Sequence, residues 1–190
     1  MTLHPLGVAD GTVVAELVRD QVVESLHLGV VAVAERSGKL LLSKGDTEAV
    51  VFPRSTLKPL QALAMLSTGV DFTPLELALS TASHCGSTQH REAITALLHH
   101  HDLGPEHLQC PKDWPLGSAQ RAQLLAEGGE PSRLAMNCSG KHAGFLATCQ
   151  HSGWDLGSYL SPAHPLQRLI LDTIGDYAGE KPSFSSVDGC

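Results

Sequence analysis

The sequence contains no lysine- or arginine-rich run, and its formal net charge at pH 7 is −7. Nucleic acids and anionic membranes are gripped through clustered positive charge, so the balance argues against either as the main partner. No apolar run approaches the roughly 20 residues of a membrane span. The N-terminal stretch MTLHPLGVADGTVV lacks the basic start and long apolar core of a signal peptide. No C-x-x-C pair and no H-E-x-x-H occurs, so any metal site must be assembled from distant residues. The five cysteines are odd in number and irregularly spaced. They make a poor disulfide framework and fit a reducing, cytoplasmic setting. There is no internal repeat and no linker-like stretch. With 190 residues, 42% hydrophobic and 17% charged, residues 1–190 are expected to form a single globular domain with a real core.

Strands and helices are both written into the chain. Val30–Ala34 and Lys39–Ser43 are short apolar runs on either side of Ser37–Gly38 and read as a hairpin. Pro59 to Thr68 reads as a helix stopped by Gly69. Thr73-Pro74-Leu75-Glu76 is a capping-box signature for a second helix. Ser87 or Thr88 can cap a third, ending near Gly104. Ser118–Glu127, Lys141–Gln150 and Pro165–Tyr177 follow, the first two closed by Gly128–Gly129 and Gly153. The class is therefore α/β or α+β, with a mixed or antiparallel sheet flanked by helices. His99, His100 and His101 stand side by side. Neighbours on a helix point different ways, so the run reads as a solvated helix end rather than one metal-binding face. KPSFSSVDGC reads as a strand, Phe184–Val187, entering a turn at Asp188–Gly189. The strand that should follow is missing, so the fold is expected to be incomplete at its C-terminus.

Four stretches carry residues suited to chemistry. In FPRSTLKPLQALA, Ser55 and Lys58 are three apart and share a face if the segment is helical. A serine hydroxyl becomes a good nucleophile once a base takes its proton, and a lysine serves as that base when burial or a nearby cation lowers its pKa. A chance S-x-x-K is expected roughly once in a chain this long, so the pair alone does not decide. In STASHCGSTQHRE, Ser83 and His84 sit where an apolar element gives way to Gly86. Ser83 can be a second hydroxyl in a site and His84 a proton carrier or substrate donor, or Ser83 or Ser87 can simply cap the next helix. In MNCSGKHAGFLA, Asn137, Cys138, Ser139, Lys141 and His142 crowd a loop that opens a helix. Free N–H groups at a helix start bind anions, and Cys138 and Lys141 at i, i+3 can converge. A Walker A reading fails, because the upstream Gly is missing and no Ser or Thr follows Lys141. In SVDGC, Asp188 can anchor an ammonium and Cys190 can join Cys138 at a metal.

Taken together, RSTLKPLQALA, ASH, NCSGKHAGFLA and VDGC resemble one family in order and spacing, the L-asparaginase II group. The resemblance runs from about His27 to Cys190. It implies an arrangement similar to serine β-lactamases and penicillin-binding proteins, and hydrolysis of L-asparagine to L-aspartate and ammonia. It implies Ser55 as nucleophile, Lys58 as base, and Ser83 as a member of a second Ser–Lys pair. It also implies a zinc ion held by Cys138, Lys141 and Cys190. Arg54, His84, Asn137, His142 and Asp188 match positions expected to meet the substrate, the arginine on its α-carboxylate and the aspartate on its α-ammonium. A homodimer is implied by the resemblance alone.

The chain departs from the family pattern twice. The acid usually found at the position of Ser87 is absent, and the late lysine that partners the second serine has no counterpart before Cys190. Residues 1–190 are therefore expected to be the N-terminal part of a longer catalytic domain. Two other readings compete. One is a β-lactamase- or peptidase-type Ser–Lys enzyme, whose S-D-N and K-T-G partner motifs are absent here. The other is an inactive, truncated or zinc-binding protein without catalysis.

Overall fold

A computed structural model describes residues 4–181. Among these, six α-helices and two small antiparallel sheets make a mixed α and β protein. The chain resolves into two compact units, Met1–Arg54 and Ser55–Cys190.

The first unit holds the strands. β1 (Thr12–Arg19) and β2 (Val22–Gly29) form a hairpin, as do β3 (Val31–Ala34) and β4 (Leu40–Lys44). The second hairpin is the one its apolar runs predict. The first is not foreshadowed, and its turn shows why. Asp20 and Gln21 both take positive φ, 48° and 66°, the twist a two-residue hairpin needs. Neither is Gly or Asn, the residues that advertise such a turn. The expected single sheet is instead two separate two-stranded ones, and no residue of these four strands is buried.

The second unit is helical. α1 (Lys58–Ser67), α2 (Pro74–Thr81), α3 (Thr88–His100), α4 (Ser118–Ala126), α5 (Ser139–Ser152) and α6 (Pro165–Ala178) fall close to their sequence-predicted bounds. The local signals act as expected. Thr73 and Glu76 close a reciprocal capping box on α2, and Ser87 caps α3 through the His90 amide. Gly153 ends α5 at φ 66°, the left-handed geometry that lets a glycine finish a helix cheaply.

α5 is the axis of this unit. Every residue from Ser139 to Cys149 is buried, so the helix packs all round until its last turn, where Gln150 and His151 are exposed. It touches α1, α2, α3 and α6. Its approach to α2 is set by two glycines. A Cβ on Gly140 would overlap the Leu79 carbonyl, and one on Gly144 would overlap the Ser80 hydroxyl. Met65, Ile94, Leu97, Leu98, Phe145 and Leu146 fill the surrounding core.

One expectation needs correcting at the end of α3. His99 and His100 are exposed as predicted, but His100 and His101 converge on Glu76. The helical-periodicity argument fails because the helix ends between them. His101 sits at φ −105°, ψ 24°, off the helical path, and its side chain is released from the helical spacing.

The strand and turn expected at Phe184–Gly189, with Asp188 and Cys190, fall outside the described residues.

Candidate active site

Lys58 begins α1 and is only 3% exposed. A lysine that deep must have its ammonium donors answered or lose its charge. It donates to Ser83 Oγ at 2.7 Å and to Cys138 Sγ at 3.3 Å. Three stretches far apart in sequence therefore meet at one nitrogen. Ser55 stands on the 3-10 turn Arg54–Leu57 that precedes α1, and it is exposed. No hydrogen bond joins Ser55 to Lys58 among the described residues. The spacing places them one turn apart, but the lysine donates to Ser83, itself exposed in the loop after α2.

The loop carrying Ser83 is stapled to the loop carrying Cys138. The His84 amide donates to the Asn137 carbonyl at 3.1 Å. The Gly86 amide donates to His84 Nδ1 at 3.1 Å, which makes Nδ1 the acceptor and leaves the ring proton on Nε2. Nε2 then donates to Ser139 Oγ at 2.9 Å, and that hydroxyl donates to the Leu134 carbonyl at 3.0 Å. Both nitrogens of His84 are thus used inside the protein. Burial, then His90 and Lys58, push its pKa down to about 4, so it is neutral at physiological pH. In this arrangement His84 holds the two loops together.

His142 is different. It is 1% exposed on the first turns of α5. Its Nδ1 lies 2.8 Å from the Tyr159 hydroxyl, and that hydroxyl accepts from the Gln109 amide at 3.0 Å. The amide can only donate, so the phenolic proton has one acceptor among these partners, His142 Nδ1. Burial raises the Tyr159 pKa, which keeps that proton in place. The His142 ring proton is then on Nε2, and Nε2 is buried with no hydrogen-bond partner among the described residues. Burial, then Lys141 and Lys58, lower the His142 pKa to about 3. The ring is a neutral donor for which the described residues supply no partner.

Cys138 and Lys141 stand three apart at the start of α5, 4% and 9% exposed. A thiolate and a deprotonated amine are donors that zinc accepts, and the buried positions would hold them firmly. The Lys141 amine also lies 5.7 Å from the centre of the Phe145 ring. The third residue of the expected set, Cys190, is outside the described residues, as is Asp188. Asn137 is half-buried beside Cys138 and contributes its carbonyl to the loop staple. Arg54 is exposed, closes the first unit and has φ 48°.

Ser139, already marked by its place in MNCSGKHAGFLA, completes the network together with Tyr159 and Gln109, which the sequence does not foreshadow. Their only signal is polarity at positions that turn out buried or half-buried, and no spacing rule connects them to His142 or His84.

A serine hydroxyl 2.7 Å from a buried lysine amine, with an unanswered donor close in sequence to the amine's thiol partner, is an arrangement that acyl-transfer chemistry can use. A family model described as L-asparaginase II matches residues 15–190, and the chain belongs to that family. No individually curated protein matches it. The family name points to an asparaginase-type amidohydrolase acting on a small molecule. No helix among the described residues is long and apolar enough to cross a membrane.

Proposed function

We propose that the protein hydrolyses the side-chain amide of L-asparagine to L-aspartate and ammonia through a serine ester, with Lys58 carrying the proton. The observation that supports this most is the buried Lys58 amine 2.7 Å from the Ser83 hydroxyl, within the range for direct proton transfer. In its neutral form Lys58 accepts the serine proton as the Oγ–Cγ bond forms. The proton then passes to the amide nitrogen as the C–N bond breaks, and ammonia leaves. Water attacks the ester next, giving its proton to Lys58. The acyl bond breaks with the proton returned to the serine, and aspartate is released.

Ser55 is the nucleophile that the family resemblance implies, exposed to incoming substrate one turn from Lys58. Ser83 then orients the amine and relays the proton. The 2.7 Å bond favours a second assignment, in which Ser83 itself attacks. The orphan Nε2–H of His142 suits a substrate oxygen, where charge develops during attack. Cys138 and Lys141 would hold a zinc ion, whose chemistry is a fixed positive charge that organises the pocket. Its binding requires both donors deprotonated.

Ammonia release from L-asparagine by the full-length protein is the expected outcome. Release from neither L-asparagine, D-asparagine nor glutamine would sink the proposal. A diazoketone analogue of asparagine, followed by peptide mapping, separates the two serines. Label on Ser55 supports the first assignment, and label on Ser83 the second. Acylation of either serine by a penicillin, without ammonia release, would move the protein to β-lactam chemistry.

A further inference from the structure

Away from Lys58, the N-terminus of α2 and the C-terminus of α3 bring Glu76, His100 and His101 together. One carboxylate oxygen and one ring nitrogen from each histidine all lie within 4.8 Å of one another. Glu76 is 6% exposed, an unusual depth for a carboxylate. Its two oxygens have different duties. Oε2 accepts the Thr73 amide at 2.7 Å and completes the capping box. Oε1 faces His100 Nδ1 at 2.8 Å. His101 adds a ring whose Nε2 is shielded from solvent and has no hydrogen-bond partner among the described residues. Phe72 packs edge-on against that ring at 5.6 Å, and the His100 ring lies 4.7 Å from it.

A capping box explains Oε2, and a helix end explains an exposed histidine. The helix end also accounts for the left-handed Asp102, since the Asp102 and Leu103 amides return to the His99 and Leu98 carbonyls, but neither feature explains why two adjacent imidazoles meet at a buried carboxylate. Nor does either explain the orphan nitrogen, whose burial without a partner is costly. A cation answers all of these. Two imidazoles and one carboxylate are a donor set that zinc accepts in tetrahedral geometry, with a fourth position left for water. His100 is half-exposed, so water can reach that position.

We propose that Glu76, His100 and His101 form a divalent-metal site, with zinc the fitting ion, that staples the start of α2 to the end of α3. The metal takes the place of the proton shared between Glu76 and His100. The Glu76–Thr73 hydrogen bond orients the carboxylate from outside the coordination shell. The ligands are oxygen and nitrogen only, which separates this site from Cys138 and Lys141. The carboxylate is available as an anion. Burial pushes its pKa up, but hydrogen bonds from Thr73 and His100 outweigh burial and hold it below the ordinary value. The inference does not depend on the asparaginase reading.

Cobalt(II) is the probe, titrated into the metal-stripped full-length protein. The expected result is one equivalent with visible d–d bands that are independent of any thiolate charge-transfer band. Those bands should vanish in His101→Gln and weaken at least tenfold in affinity in His100→Gln. Zinc should raise the melting temperature of the parent but lose that increment in His101→Gln. Far-UV circular dichroism and melting of each variant in EDTA confirm that the helices persist without the ligand. If one variant fails to fold, the other carries the comparison. Bands unchanged in a folded variant, bands that appear only together with thiolate charge transfer, or a dissociation constant weaker than about 1 mM would each overturn the site.

Discussion

His142 carries directional information that few side chains in a buried site possess. Its tautomer is set by a chain of donors, Gln109 to Tyr159 to His142, and the outcome is an N–H with no partner among the described residues. Tyr159→Phe removes the proton that fixes the ring. Its KM for L-asparagine should rise about tenfold with a smaller change in kcat, and stability should fall by about 1 kcal/mol. Ammonia-release kinetics and denaturant unfolding measure both. An unchanged KM would mean that His142 does not meet the substrate. Lys58→Met should be harsher on chemistry, lowering kcat by roughly 10²–10⁴-fold, because no other amine donates to Ser83 among the described residues. At this scale the sequence was readable in its residue types but not in its pairings. Lys58, Ser83 and Cys138 were all singled out by local motifs. That the amine would choose a serine 25 residues away over one three residues away is a tertiary fact. It follows from the fold laying the loop after α2 against the start of α1, and no spacing rule contains it.

The elements were legible where their ends are chemically marked. All six helices were anticipated because each has a capping hydroxyl, an early proline or a glycine at an edge. These residues act through backbone groups a few positions away, so their signals survive without tertiary context. β1 and β2 were not anticipated, because Asp20 and Gln21 turn the chain without the glycine that usually marks such a turn. The burial of α5 was also hidden. A helix that packs on every side loses the one-sided apolar stripe that periodicity detects, and its Ser, Lys, His and Thr look like surface residues. What does mark it is its glycine pair. Gly144 lies against Ser80, whose hydroxyl is tied to the Glu76 carbonyl at 2.8 Å, and Met65 Sδ would be 3.2 Å from an added Cβ. Gly144→Ala gains about 1 kcal/mol of helix propensity, but overpacking costs about 1–3 kcal/mol. A net loss of up to about 2 kcal/mol is expected in urea unfolding. A stabilised variant would show that α2 can retreat from α5 at little cost.

For the molecule as a whole, the buried histidines set how stability responds to acid. Burial leads the lowering of His84 to about 4 and of His142 to about 3. His101 is lowered as well, again mainly by burial. An unfolded chain returns each of them to the ordinary histidine value near 6.5. Between that value and the native ones, the unfolded state binds more protons than the folded state, so stability must rise with pH. The contribution is fully present above pH 6.5 and is lost as the pH falls toward 4 for His84 and 3 for His142. Each group's slope approaches about 1.4 kcal/mol per pH unit within its window. Glu76 is also lowered, by hydrogen bonds that outweigh its burial, but its contribution is lost only below the ordinary glutamate value of 4.5. The interval from pH 6.5 to 4.5 therefore belongs to the histidines. His4, raised by its hydrogen bond to Asp10, works in the opposite sense, favouring the fold at pH below 6.5, but it is fully exposed and screened. Urea unfolding at half-unit steps, in EDTA so that metal binding does not enter, should show stability falling steadily over that interval. His84→Gln should flatten the fall by about 1 kcal/mol per pH unit while costing some stability at pH 7, where the loop staple is weakened. A parent protein equally stable at pH 7 and pH 5 would mean that these rings are reached by water and gain their protons without unfolding. The neutral His142 donor on which the proposed chemistry leans would then be lost with them.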